Sequence, residues 1–179
     1  MKIFLKKTRL SYPHLFEAQA YEGSEPRFSA NYLLEPTHPA VKELTAAIET
    51  VAKDKWGAKA DAVLKSIRAA DKTFLRNGDA KGTDGYEGLL FVSASSKRRP
   101  SVVDQDGTTL LVEADGKPYG GCFVNAFVEV WAMDNKFGKR ICASLGSVQF
   151  HSHGEPFGAG GGGEPDSFDA VEDAEEDLV

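Results

Sequence analysis

The stretch Cys122–Met133 constrains the fold more than any other part of the chain. Its even positions, Cys122, Val124, Ala126, Val128, Val130 and Ala132, are uniformly small and apolar. Successive side chains of a strand point to opposite faces, so this spacing predicts one long strand with a continuous core-facing side. The odd positions, Phe123, Asn125, Phe127, Glu129 and Trp131, interleave large rings with polar groups. That second face either packs beneath a helix or another sheet, or stands free for a ligand.

The segments around it are also strand-like. Ile3–Leu10 alternates, with Ile3 and Leu5 facing the core and Lys7 and Arg9 continuing that face as it leaves; Tyr12-Pro13 interrupts it. Arg27–Leu34 sets Phe28, Ala30, Tyr32 and Leu34 on one side and Arg27, Ser29 and Asn31 on the other, and Glu35-Pro36 ends it. Helical spacing follows: Pro39 suits a first turn, Val41, Leu44, Ile48 and Val51 form a stripe, Gly57 breaks it, and Ala60, Val63, Leu64 and Ile67 resume it. Asn77-Gly78-Asp79 and Thr83-Asp84-Gly85 are turn chemistry. Leu89–Ser95 and Ser101–Val103 read as strands, with Asp106-Gly107 turning towards Thr109–Glu113. In Arg140–Phe150, Val148 and Phe150 are out of phase with Ile141, Ala143 and Leu145, which predicts a bulge at Gly146. The sum is a mainly β chain with inserted helices. The smallest architecture that closes such strands is the oligonucleotide-binding (OB) fold, a five-stranded Greek-key barrel.

Charge divides the chain. The whole carries −6, yet residues 155–179 hold nine acids and no Lys or Arg, so residues 1–154 set 21 basic residues against 18 acidic ones, a balance of +3. The Gly-Ala-Gly-Gly-Gly-Gly run at 158–163 reads as a flexible linker, and too few apolar residues follow to offset the entropy of ordering. We therefore expect a globular domain over residues 1–154 and, over 155–179, a Gly-rich linker with a disordered acidic tail.

Neither catalysis nor metal binding is expected. There is no Ser-His-Asp arrangement, no HExxH and no compact carboxylate cluster; Asp79, Asp84 and Asp104 are scattered in loops. His151 and His153 lack a third ligand, and Cys122 and Cys142 read as reduced core thiols. No cofactor is implied. The N-terminus lacks a sustained apolar segment, no stretch approaches the ~20 apolar residues of a membrane span, and a cytosolic protein is expected.

Basic residues recur beside rings at several separated places. That pairing suits single-stranded nucleic acid, in which cations follow phosphates and rings accept bases of any sequence. Backbone contacts would come from Lys7, Arg9 and Arg76, from the run Lys97, Arg98 and Arg99, and from Lys139 and Arg140. Stacking would come from some of Tyr12, Phe74, Phe123, Phe127, Trp131 and Phe137.

Several segments together resemble the single-stranded DNA-binding proteins of tailed bacteriophages. They are RLSYPHLFE at 9–17, PRFSANYLL at 26–34, Lys55-Trp56-Gly57, RNGD at 76–79, YEGLLFVSASSKRRPSVVD at 86–104, and Tyr119 through Phe150 with YGGCFVNAFVEVWAMDN and ASLGSVQF. The resemblance implies an OB-fold core and sequence-tolerant binding of single-stranded DNA. It also implies roles in coating and protecting strands during phage replication, recombination and repair, in the cytoplasm of the bacterial host. A strand-annealing recombination protein is the alternative. The acidic end, with Asp173, Glu175, Glu176, Asp177, Leu178 and Val179, is expected to compete with DNA for the basic body. Once displaced, it would dock on replication proteins such as a polymerase or helicase-primase. Its last residues, Leu178-Val179, depart from the aromatic ending common in such tails. A homo-oligomer is compatible with this reading.

Overall fold

The computed structural model describes residues 1–20 and 22–157. The acidic segment beyond Phe157, with its candidate tail residues, lies outside the described residues. The elements are β1 (Lys2–Gln19), β2 (Arg27–Leu34), α1 (Ala40–Trp56), α2 (Ala60–Ala69), β3 (Leu75–Asn77), β4 (Leu90–Ser96), β5 (Val102–Val103), β6 (Phe123–Asn135) and β7 (Gly138–Ser152).

The strands run β4-β2-β1-β6-β7, all antiparallel neighbours, and β7 returns to β4 through the parallel pair Ser95 and Ser144. This closes a five-stranded barrel of the expected kind. β3 extends the sheet beyond β4, and β5 runs parallel to β7. Cys122, Val124, Ala126, Val128 and Val130 are all buried inside the barrel with Leu5, Tyr32, Val92 and Ile141. The small side chains of β6 therefore do what their alternation predicts.

Gly57 stops α1, a 3-10 turn spans Gly57–Lys59, and α2 continues. α1 lies against β1 and β6, burying Leu44, Ala47, Ile48 and Ala52, while α2 rests on β7. The bulge at Gly146 is present: β6 pairs Ala126 with Val148 but Val128 with Leu145. A Cβ at Gly146 would stand 2.5 Å from the Phe127 carbonyl oxygen, so close approach of two backbones requires glycine there.

Three expectations are corrected. β1 does not stop at Tyr12-Pro13. It runs on to Gln19 because Lys7 (φ 49°) and Tyr12 (φ 46°) adopt left-handed conformations that shift the register, and Pro13 falls within such a shift. The shift at Lys7 also reverses the phase, so Thr8 and Leu10 are buried in place of Lys7 and Arg9. Cys142 is not a core thiol. It pairs with Trp131 on the outer side of the barrel, half-buried, and desolvation pushes its thiol upward although Arg140 and Arg27 pull it down.

Candidate nucleic-acid interface

The outer face of β2 and β4 presents Ser29 and Asn31 beside Ser95 and Ser93, paired in register. A cleft of about 440 Å³ runs over this floor, bounded by Tyr12, Arg27 and Lys81. Asn31 is anchored from below, since its Nδ2 donates to the Tyr86 hydroxyl (3.1 Å), which donates to Ser11 Oγ (2.6 Å). Ser95 continues the floor across the barrel seam to Ser144, whose Oγ accepts from Trp131 Nε1 at 2.9 Å. A polar floor thus passes from a ring 55% exposed, Tyr12, to one 40% exposed, Trp131. The indole is fixed through its N–H with much of its surface free, which suits a stacking partner.

Cations flank this floor. Arg27 and Arg140 are exposed, and both guanidinium groups act on Cys142, so they stand near the Trp131 end. Arg76 lies 5.7 Å over the Phe91 ring and donates from Nε to the Thr73 carbonyl (3.1 Å). Lys81 Nζ stands 5.0, 5.3 and 5.6 Å from the Phe91, Tyr86 and Tyr12 rings. Desolvation by these rings, with the charge of Arg76, lowers the Lys81 pKa from its ordinary value. An entering phosphate would offset both effects by favouring the charged ammonium.

Of the sequence-predicted residues, Tyr12 lines this groove, Trp131 joins its floor through Ser144, and Arg76 and Arg140 stand outside its lining, near Lys81 and Cys142 respectively. Lys97 stands at its lip, held by Glu25 at 2.8 Å, and Arg99 lies 5.9 Å over Phe16. Arg98 is exposed in the same loop, its backbone N–H bonded to Ser96 Oγ. Phe137 is 77% exposed at the tip of the β6–β7 hairpin, while Lys139 faces the α2 side. Phe74 is withdrawn as a stacking ring. It is 2% exposed in the core, drawn in because the backbone of Lys72 and Phe74 bonds to Ile141.

The remaining candidates form a second face, on β1 and β6. Phe127 packs on Phe4 with centroids 5.0 Å apart, under Lys2 Nζ at 4.6 Å, and Lys7 Nζ lies 5.5 Å from the half-buried Phe123 ring. The polar groups between these rings have structural partners. Asn125 accepts from the Lys7 N–H (2.9 Å) and donates to Gln149 (3.1 Å), while Glu129 receives the Met1 ammonium at 3.1 Å. Arg9 donates to the carbonyls of Gly121 (3.2 Å) and Glu155 (2.6 Å) and lies 4.0 Å over Phe157. Phe157, expected within the unordered tail, packs against Tyr86 and Gly85, so structure persists three residues past the expected boundary.

Sequence reasoning did not single out Arg27, Lys81 or the Ser29, Asn31, Ser93 and Ser95 floor, all of which line this cleft. The signal was present in β2, whose non-core side reads Arg, Ser, Asn.

Comparison with known proteins bears on this geometry. Residues 1–179 match the family model described as "Enterobacter phage Enc34, ssDNA-binding protein". A putative protein p50 of Acyrthosiphon pisum secondary endosymbiont phage 1 is 41% identical over 183 residues, covering 100% of this chain and 98% of that one. The single-stranded DNA-binding protein of bacteriophage Enc34, solved in complex with ssDNA, superposes with a TM-score of 0.75 at 32% identity, over 88% of this chain and 89% of that one. Gp2.5, a single-stranded DNA-binding protein encoded by bacteriophage T7, shares the fold with a TM-score of 0.57 at 12% identity, over 100% and 94% of the two chains. The chain belongs to the Enc34 family of phage single-stranded DNA-binding proteins.

Proposed function

We propose that this chain binds single-stranded DNA without sequence demands, in the groove over β2, β4 and β7. It would coat and protect strands exposed in phage replication, recombination and repair in the cytoplasm of the bacterial host. The carrying observation is the polar floor from Tyr12 to Trp131, with Arg27, Arg76, Lys81 and Arg140 along it. Hydroxyl and amide groups tolerate any base edge, the rings at either end stack, and the cations track phosphates and release counterions. Family membership supports the same reading.

The acidic residues beyond Phe157, among them Asp173, Glu175, Glu176 and Asp177, would compete with DNA for this groove and, when displaced, engage replication proteins. Because Glu155 and Phe157 are held by Arg9, the segment would leave the body beside Tyr12 and Lys81. The test is binding of labelled oligo-dT across a salt series, with the full chain and with a chain ending at Phe157. Steep salt dependence, quenching of Trp131 emission and tighter binding after truncation are expected. Absence of binding by the truncated chain at low salt refutes the groove, and unchanged affinity after truncation refutes competition.

A further inference from the structure

A second cleft, of about 660 Å³, lies between α2 and the β6–β7 hairpin, on the side away from Trp131. Four lysines line it, Lys59, Lys72, Lys136 and Lys139, with a single carboxylate, Asp134. That carboxylate is already engaged, accepting from Trp56 Nε1 at 2.9 Å. Among the described residues, none of the four ammonium groups has an ion-pair or hydrogen-bond partner; Lys136 rests only on the Phe137 ring, at 5.1 Å. Four ammonium groups against one carboxylate leave this concavity with a net charge of +3, which is unfavourable until an anion enters.

The position of the cleft says which anion. The two sides of the hairpin differ: Arg140 and Met133 share the outer side with Trp131, whereas Lys139 belongs to the cleft. Phe137, the most exposed ring of the described residues, sits at the tip between them. A strand leaving Trp131 and Arg140 meets Phe137 next and then the lysines. The lining contains no ring for stacking, and the Asn135 amide oxygen already accepts from the Phe137 N–H at 2.9 Å, so with its four lysines this cleft suits phosphates better than bases.

We infer that the α2–hairpin cleft is a second phosphate track, which receives the sugar-phosphate backbone of a single strand after it passes Trp131 and turns over Phe137. The inference rests on the groove reading above, and oligonucleotide length separates the two. A strand of roughly 8 nucleotides fits the site of one barrel, whereas one of roughly 30 reaches past the hairpin. The test compares the full chain with K59Q/K72Q/K136Q, titrated with labelled oligo-dT of both lengths over a salt series. For the long oligonucleotide, the slope of log affinity against log salt becomes shallower by about 2, at about 0.7 per lost phosphate contact. For the short one, slope and affinity stay at wild-type values, which also reports an intact fold. Wild-type behaviour of the variant at both lengths overturns the second track and leaves the groove standing. Equal loss at both lengths overturns it too, since the lysines would then belong to the primary site. Tighter binding by the variant overturns it as well, by making the cleft a seat for the chain's own acids. Failure of the wild type to bind either length refutes the groove itself.

Discussion

The outer faces of β1–β6 and of β2–β4–β7 carry similar residues and differ in what those residues are occupied with. Each has rings, cations and amides. On β1–β6, Asn125 bridges the Lys7 bulge to Gln149, Glu129 holds the Met1 ammonium, and Arg9 binds two carbonyls beneath Phe157. On β2–β4–β7, Ser29, Ser93 and Ser95 line an open cleft, Trp131 is oriented through its N–H with 40% of its surface exposed, and Lys81 stands among rings with no ion-pair partner among the described residues. Composition alone does not separate a binding surface from a strand-locking one. An account of donors and acceptors does, because a group already satisfied has little to offer a ligand.

Stacking should show the largest difference between the two faces. Trp131→Ala is expected to weaken oligo-dT binding by about 1–3 kcal/mol, roughly 5- to 150-fold. Phe127→Ala should change it less than about threefold; anisotropy of a labelled oligonucleotide reads both, and reversed magnitudes would move the site to β1–β6. Next is Asn125→Ala, which removes two hydrogen bonds and should lower unfolding stability by about 1 kcal/mol in a urea titration, with oligonucleotide affinity unchanged. Loss of affinity without loss of stability would count against the division. Arg27→Gln should flatten the salt slope by about 0.7, the share of one phosphate, whereas Arg9→Gln should leave the slope as it is. The smallest effect concerns pH. Lys81 has a lowered pKa in the free protein, and a phosphate would favour its charged form, so binding takes up a proton where free Lys81 is partly neutral. Affinity should therefore fall as pH rises through that lowered pKa, and the fall should be smaller in Lys81→Met; an identical profile in the variant would remove Lys81 from the site.

Much of the fold was legible because it rests on periodicity. The small apolar face of β6, the limits of β2, the break at Gly57 and the bulge at Gly146 are each written in spacing or in a residue with one conformational meaning. β1 was less legible, since no sequence rule requires Lys7 and Tyr12 to take left-handed φ values; long-range pairing with β6 and β2 imposes them. The same limit governs the site. Phe74 lies between Lys72 and Arg76 and imitates an exposed ring, yet backbone bonds to Ile141 turn it inward. Ser95 and Ser144 are remote in sequence and meet only when the barrel closes, so the floor joining Tyr12 to Trp131 existed in no single segment.

The pairing of β1 with β6 has a consequence during synthesis. Leu5 pairs with Ala126, so one edge of β1 has no partner until β6 leaves the ribosome, an interval on the order of ten seconds at ordinary elongation rates. Throughout that time the Lys2–Leu5 part of β1, which pairs with β6 while β2 pairs only from Arg9 onward, would leave its amides and carbonyls open beside Ile3 and Leu5. Lys2, Lys6 and Lys7 are spaced along that edge. Charged edges of this kind discourage pairing with other chains. Lysines so placed would discourage an unfinished strand from pairing with neighbouring chains on the polysome until β6 arrives.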